Sequence, residues 1–228
     1  MVAGPIPPDQ GPGRARRQEL DALSGSIRAN LDAVHAAREA ALAACRRTIR
    51  ACGSSIRAVH RRDVEQAAEL VAEAKVALLE AKEAVLPHPA VAFAGFLHDA
   101  EKEYAEAVLC AALVAGSALA GPQELGVELP AWLNGLGEAA SELRRHLLDR
   151  LREGEVAAAE DLLTAMEDVY DLLLTVDYPD AVTGGLRRTA DSLRAVLERT
   201  RSDLTTTILQ VRLQTAIEGR LGEERKER

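Results

Sequence analysis

Aromatic residues make up only 3% of this 228-residue chain: one Trp, three Tyr and two Phe. Sheets draw on aromatic and β-branched side chains, so this scarcity argues against an all-β fold. The same shortage leaves little to stack on nucleic-acid bases. Cysteine is scarce and odd in number, at three, which argues against a disulfide framework. Cys45 and Cys52 lie seven apart on one helical face and Cys110 sits in an apolar run. All three read as reduced, buried thiols of a cytoplasmic protein. Long hydrophobic runs are missing too. The longest apolar stretch, 107–121, is too short for a relaxed membrane span, so no membrane association is expected. Residues 1–13 hold four prolines and three glycines but no apolar core of a leader peptide. A disordered tail over 1–15 is expected instead. No Gly-rich phosphate loop with its lysine, no Glu-x-x-His pair and no Ser-His-Asp arrangement can be drawn from the five histidines and the glycines.

What is present is a helix composition, rich in Ala, Leu, Glu and Arg, with 47% hydrophobic and 28% charged residues. Periodicity and breakers predict helices over about 16–62, 63–85, 90–119, 131–152, 155–175 and 186–219. The first loosens at Gly53-Ser54-Ser55, and Pro87, Pro89, Gly121-Pro122, Gly154 and Gly184-Gly185 separate the rest. The expected fold is all-α: a single bundle of six to seven helices over 16–219, with a charged, frayed tail over 220–228.

The net charge of −8 speaks against a polyanionic partner until its distribution is considered. Residues 1–62 carry 11 arginines against five acids, whereas 63–171 carry seven basic and 22 acidic residues. Arg46, Arg50, Arg57 and Arg61 fall at i, i+4, i+11 and i+15, with Gly53 at i+7. On a helix they form one stripe about 22 Å long. Leu42, Cys45, Ile49, Cys52, Ile56 and Val59 make the opposing apolar seam. No Asp or Glu lies between Ala40 and Arg62, which suits a phosphate-contacting surface better than a salt-bridged solvated face. His60 and His88 read as surface residues.

The third predicted helix places Asp99, Glu103 and Glu106 at i, i+4 and i+7, so three carboxylates share a face. The fifteen residues after Lys102 are otherwise nearly all apolar or small, which marks a buried helix. A carboxylate there needs a cation, a hydrogen-bond donor or a proton. Glu138 and Glu142 form a second i, i+4 pair beside Arg144 and Arg145, either of which offers an ordinary salt bridge to Glu103. Glu103, Glu106, Glu138 and Glu142 facing one another across two helices would make an all-oxygen site suited to Mg²⁺ or Mn²⁺.

Three segments resemble the translin and translin-associated factor X family. The run from Asp177-Tyr178-Pro179-Asp180 through Thr183-Gly184-Gly185-Leu186-Arg187-Arg188 to Asp203 is similar to the C-terminal region of prokaryotic translin-like proteins. Ala140-Ser141-Glu142-Leu143-Arg144-Arg145 and the basic stretch Ser55–Arg61 resemble two further family helices. The resemblance implies an all-helical protomer that forms a hollow octamer of like subunits and binds single-stranded RNA or DNA inside it. Glu103-Tyr104-Ala105-Glu106-Ala107 is similar to the motif of the factor X branch, whose Mg²⁺-dependent endoribonuclease site is acidic. Glu138 stands where that branch has Asp, and Glu142 where it has Glu. The expectation is therefore an endoribonuclease, with Glu103, Glu106, Glu138 and Glu142 as metal-binding catalytic residues and Arg46, Arg50, Arg57 and Arg61 gripping the strand. Two other readings remain open: a translin-like binding module without catalysis, and an all-α nucleotide pyrophosphatase.

Overall fold

The computed structural model describes residues 12–92 and 94–226, with side chains described over 16–92 and 94–220. Among them are six long helices: α1 (Pro12–His60), α2 (Val64–Val85), α4 (Phe96–Ala115), α6 (Leu129–Arg152), α7 (Val156–Leu174) and α9 (Leu186–Lys226). Three single turns, α3 (Pro89–Ala92), α5 (Pro122–Leu125) and α8 (Asp180–Thr183), join them, and no strand occurs among the described residues. The all-α bundle expected from composition is the fold.

The boundaries differ from expectation where backbone chemistry intervenes. α1 runs unbroken through Gly53-Ser54-Ser55 and ends at His60, because Arg62 turns left-handed (φ 63°). Asp63 then caps α2, its carboxylate accepting from the Gln66 N–H at 3.1 Å. The single helix expected over 90–119 is two. Gly95 at φ 90° separates α3 from α4, and Gly116 in the left-handed region closes α4 with its N–H on the Ala112 and Leu113 carbonyls. The tail expected over 1–15 lies outside the described residues up to 11, and 12–15 already belong to α1. At the other end α9 continues to Lys226, seven residues past the predicted limit.

α6 is the central element, packed against α4, α7 and α9, while α1 lies along α2 and α4. Leu136, Leu143 and Leu147 of α6 are buried with Leu109, Met166 and Leu193 of its neighbours. Small residues set the closest approach. A Cβ on Gly135 would stand 2.7 Å from the Lys102 carbonyl and 2.9 Å from Ala105 Cβ, so α4 and α6 meet at a distance only glycine allows. That crossing holds the carboxylates. The segment with the strongest family resemblance is an anchor: Asn134 of α6 donates to the Thr183 carbonyl at 2.8 Å and accepts from the Thr189 hydroxyl at 2.6 Å.

The outer portions of the two longest helices remain uncovered. Leu20, Leu23, Ile27 and Leu31 on α1 and Leu209, Leu213 and Ile217 on α9 are each at least half exposed. Both sets follow spacings near a heptad, which is a helix-packing pattern with no partner among the described residues.

Candidate functional site

Glu103 and Glu106 project from consecutive turns of α4 and meet Glu138 of α6. One carboxylate oxygen from each lies within 4.8 Å of the others. Glu106 is the deepest, at 8% exposure, and none of the hydrogen bonds or ion pairs of the described residues reaches its carboxylate. Burial, then the charges of Glu103, Glu138 and Glu142, push it up to about 8, against which Lys102 pulls only weakly. Glu103 is raised as well, chiefly by burial.

Glu142 does not join this trio. Its Oε2 accepts a hydrogen bond from His60 Nε2 at 2.7 Å, and that bond holds the carboxyl below the usual range. Its charge is still felt at Glu106, so it flanks the cluster. His60 is not a surface residue as expected, since its side chain is 5% exposed. It stacks at 5.1 Å on His146, whose imidazole burial drives down to about 4. His60 Nδ1 and His146 Nε2 are buried without a partner. The sequence reading missed this pair because residues 60 and 146, far apart in the chain, meet only where the end of α1 reaches α6 in the packed fold.

It also passed over Lys102. The Lys102 ammonium lies 2.8 Å from Oε1 and 2.7 Å from Oε2 of Glu138, and 3.9 Å from Glu103. Burial alone would lower this amine, yet the hydrogen bond to Glu138 and the surrounding carboxylates hold it above its ordinary value. The alternative of a bridge from Arg144 to Glu103 is not realised, since Arg144 donates to Thr200 at 3.0 Å and to Asp203 at 2.7 Å. Asp99 shares the face of Glu103 but is exposed and lies outside the trio.

Arg46, Arg50 and Arg57 are exposed on one face of α1, and Arg61 is exposed in the turn just beyond its end. Arg57 donates to Ser54 at 2.9 Å and Arg61 to Gln66 at 2.6 Å. No carboxylate pairs with any of the four among the described residues. Arg47 and Arg62, off the stripe, instead pair with Glu80 and Glu153. The opposing seam is buried as expected at Cys45, Cys52, Ile56 and Val59, with Ile49 left partly open. Cys52 lies close enough to Glu103 and Glu106 for their charges, after burial, to push its thiol up to about 12. The helix that presents the arginines thus also floors the carboxylate cluster.

The described residues form a helical bundle with an oxygen-only acidic cluster at one helix crossing and, on the exposed side of α1, an arginine stripe free of carboxylate partners, and similar proteins specify this class further. No protein-family model matches the chain. Among solved structures it is similar to AfC3PO, determined alone and with duplex RNA, at 32% identity and a TM-score of 0.75. That likeness covers 82% of this chain and 96% and 97% of those chains. Apo-NeC3PO shares the fold at 19% identity, with a TM-score of 0.71 over 90% of this chain and all of that one. The uncharacterized protein MJ0175 of Methanocaldococcus jannaschii is 30% identical over 122 residues. The match spans 53% of this chain and 54% of that protein, about half of each. C3PO is the complex of translin and translin-associated factor X, and this chain belongs to the translin family. Among the described residues no helix is long and apolar enough to cross a membrane.

Proposed function

We propose that the chain is a nucleic-acid-binding translin-family protein that cleaves single-stranded RNA with Mg²⁺ or Mn²⁺. The observation that carries this reading is Glu106: a buried, unpartnered carboxylate facing Glu103 and Glu138. Hard carboxylate oxygens gathered this closely suit a hard divalent cation by their chemistry and offer nothing to a thiophilic one. Glu103, Glu106 and Glu138 would hold the ion, with Glu142 beside it. Such an ion polarises a phosphoryl oxygen and acidifies a bound water. The stripe Arg46, Arg50, Arg57 and Arg61 grips phosphates without reading sequence. Glu142, held by His60, would accept the proton of an attacking water.

The RNA held by AfC3PO supports an RNA ligand, and the few aromatics make affinity mainly electrostatic. Family membership favours this reading over the nucleotide pyrophosphatase. The exposed heptad stripes of α1 and α9 support assembly with further copies, an octamer in this reading, and the buried free thiols suit the cytoplasm. Light scattering that gave a stable monomer at micromolar concentration would remove the assembly.

One observation favours a second reading, a binding module without catalysis: Lys102 already neutralises Glu138. Incubating a single-stranded RNA oligomer with the protein and Mg²⁺, then with EDTA, separates the two. Cleavage abolished by EDTA supports the nuclease, and binding with no cleavage supports the module.

A further inference from the structure

The site has an occupant that its proposed role does not explain. Lys102 engages both oxygens of Glu138, at 2.8 and 2.7 Å, and leans toward Glu103 at 3.9 Å. Glu138 therefore has no oxygen clear of the ammonium. Lys102 reaches it from α4 because Gly135 brings that helix's backbone against α6, with the Lys102 carbonyl itself at the contact. The side chain is 22% exposed, so it has a path to solvent. Two cations of total charge +3 sharing these few ångströms would repel strongly in a half-buried site.

We propose that the Lys102 ammonium is a tethered gate on the carboxylate cluster, which a divalent cation must displace from Glu138 to bind. The inference rests on the reading of Glu103, Glu106 and Glu138 as a metal site. It makes metal loading a competition between a free ion and a built-in one. The ammonium keeps the cluster folded when no metal is present, and loading requires enough free cation to evict it. Eviction swings Lys102 into solvent, where its amine gains reactivity.

The test uses Mn²⁺ with the full chain at pH 8.5 and reads bound ion by electron paramagnetic resonance. Lys102→Met should bind Mn²⁺ about tenfold more tightly than the parent. Lys102→Arg, which keeps a cation, should stay within about twofold of the parent. Equal affinity of parent and Lys102→Met overturns the gate and leaves the metal site standing. No binding by either protein overturns both.

The parent alone gives a second readout should Lys102→Met fail to fold. The chain has four lysines, so labelling by an amine-reactive reagent can be followed at each by mass spectrometry. Adding Mn²⁺ should raise labelling of Lys102 several-fold while exposed Lys75 stays constant. Labelling of Lys102 that did not change under saturating Mn²⁺ would refute the gate.

Discussion

His60 Nε2 stands 2.7 Å from Glu142 Oε2 and ties the arginine-bearing helix α1 to the carboxylate-bearing helix α6. On α1, His60 follows Arg57 by three residues and precedes Arg61 by one, at the edge between the stripe and the buried seam. Replacing it with Ala should strip a half-buried carboxylate of its donor and cost about 1–3 kcal/mol of stability. Glu142 would lose its fixed direction, and its carboxyl pKa would rise as burial is no longer offset by the His60 hydrogen bond. Chemical denaturation should show the loss, and a stability within error of the parent would show that the pair contributes nothing.

The arginine stripe should act as a unit. Replacing Arg50, Arg57 and Arg61 together with Ala should weaken single-strand binding about equally for every sequence tried. The slope of log affinity against log salt should flatten by about two to three, since roughly 0.7 to 0.9 counterion is released per phosphate contact. All three are exposed and free of carboxylate partners, so the fold should survive. Fluorescence anisotropy at three salt concentrations checks this, and an unchanged slope would make the stripe a solvated face.

Glu106 sets an unusual alkaline limit. Its carboxyl is raised to about 8, so the folded state prefers the protonated form. That contribution is complete below the ordinary carboxylate range and drains away as pH rises through 8. His146 acts in the opposite sense. Driven down to about 4, it contributes above about 6.5 and loses that contribution on acidification. The buried thiols and Lys102 titrate well above this window. Between pH 6.5 and 8 the chain without metal should therefore lose about 1–2 kcal/mol, and saturating Mg²⁺ should abolish the loss. Urea midpoints that stayed level over this range without metal would contradict the burial of an ionisable Glu106.

The fold was legible because periodicity, breakers and composition all pointed to helices. Four of the six long elements end within two residues of prediction. The errors came from single backbone positions: Gly95 and Arg62 adopt positive φ for reasons a local pattern does not carry. Glu103 and Glu106 were legible because carboxylates inside an apolar helix demand compensation wherever they point, and Glu138 because it pairs at i, i+4 with Glu142 on the helix expected to face them. Lys102 escaped notice because one charged residue beside a glutamate reads as surface. Its role depends on the closeness of two helices, which Gly135 decides from another part of the chain. His60 and His146, 86 positions apart in sequence, carry no signal until tertiary packing joins them.

The decisive prediction concerns the trio. Glu103→Gln and Glu106→Gln keep size and shape but each removes a charge from the cluster. If these carboxylates hold the cation, either change should cut Mg²⁺-dependent RNA cleavage by orders of magnitude, since such an ion supplies several kcal/mol of transition-state stabilisation. RNA affinity measured in EDTA should hold, because the grip lies on α1. The metal-free Glu106→Gln variant should gain stability above pH 8, where the parent carries an ionised, crowded carboxylate and the variant a neutral amide. These outcomes separate the readings. A binding module shows no Mg²⁺-dependent cleavage in the parent, so the substitutions have nothing to remove. A nuclease with its centre elsewhere would cleave undiminished in the Glu103→Gln, Glu106→Gln double variant, and that result would remove the site from α4. Loss of cleavage together with loss of RNA binding would move the strand's anchor from the arginines to the carboxylate cluster and its cation.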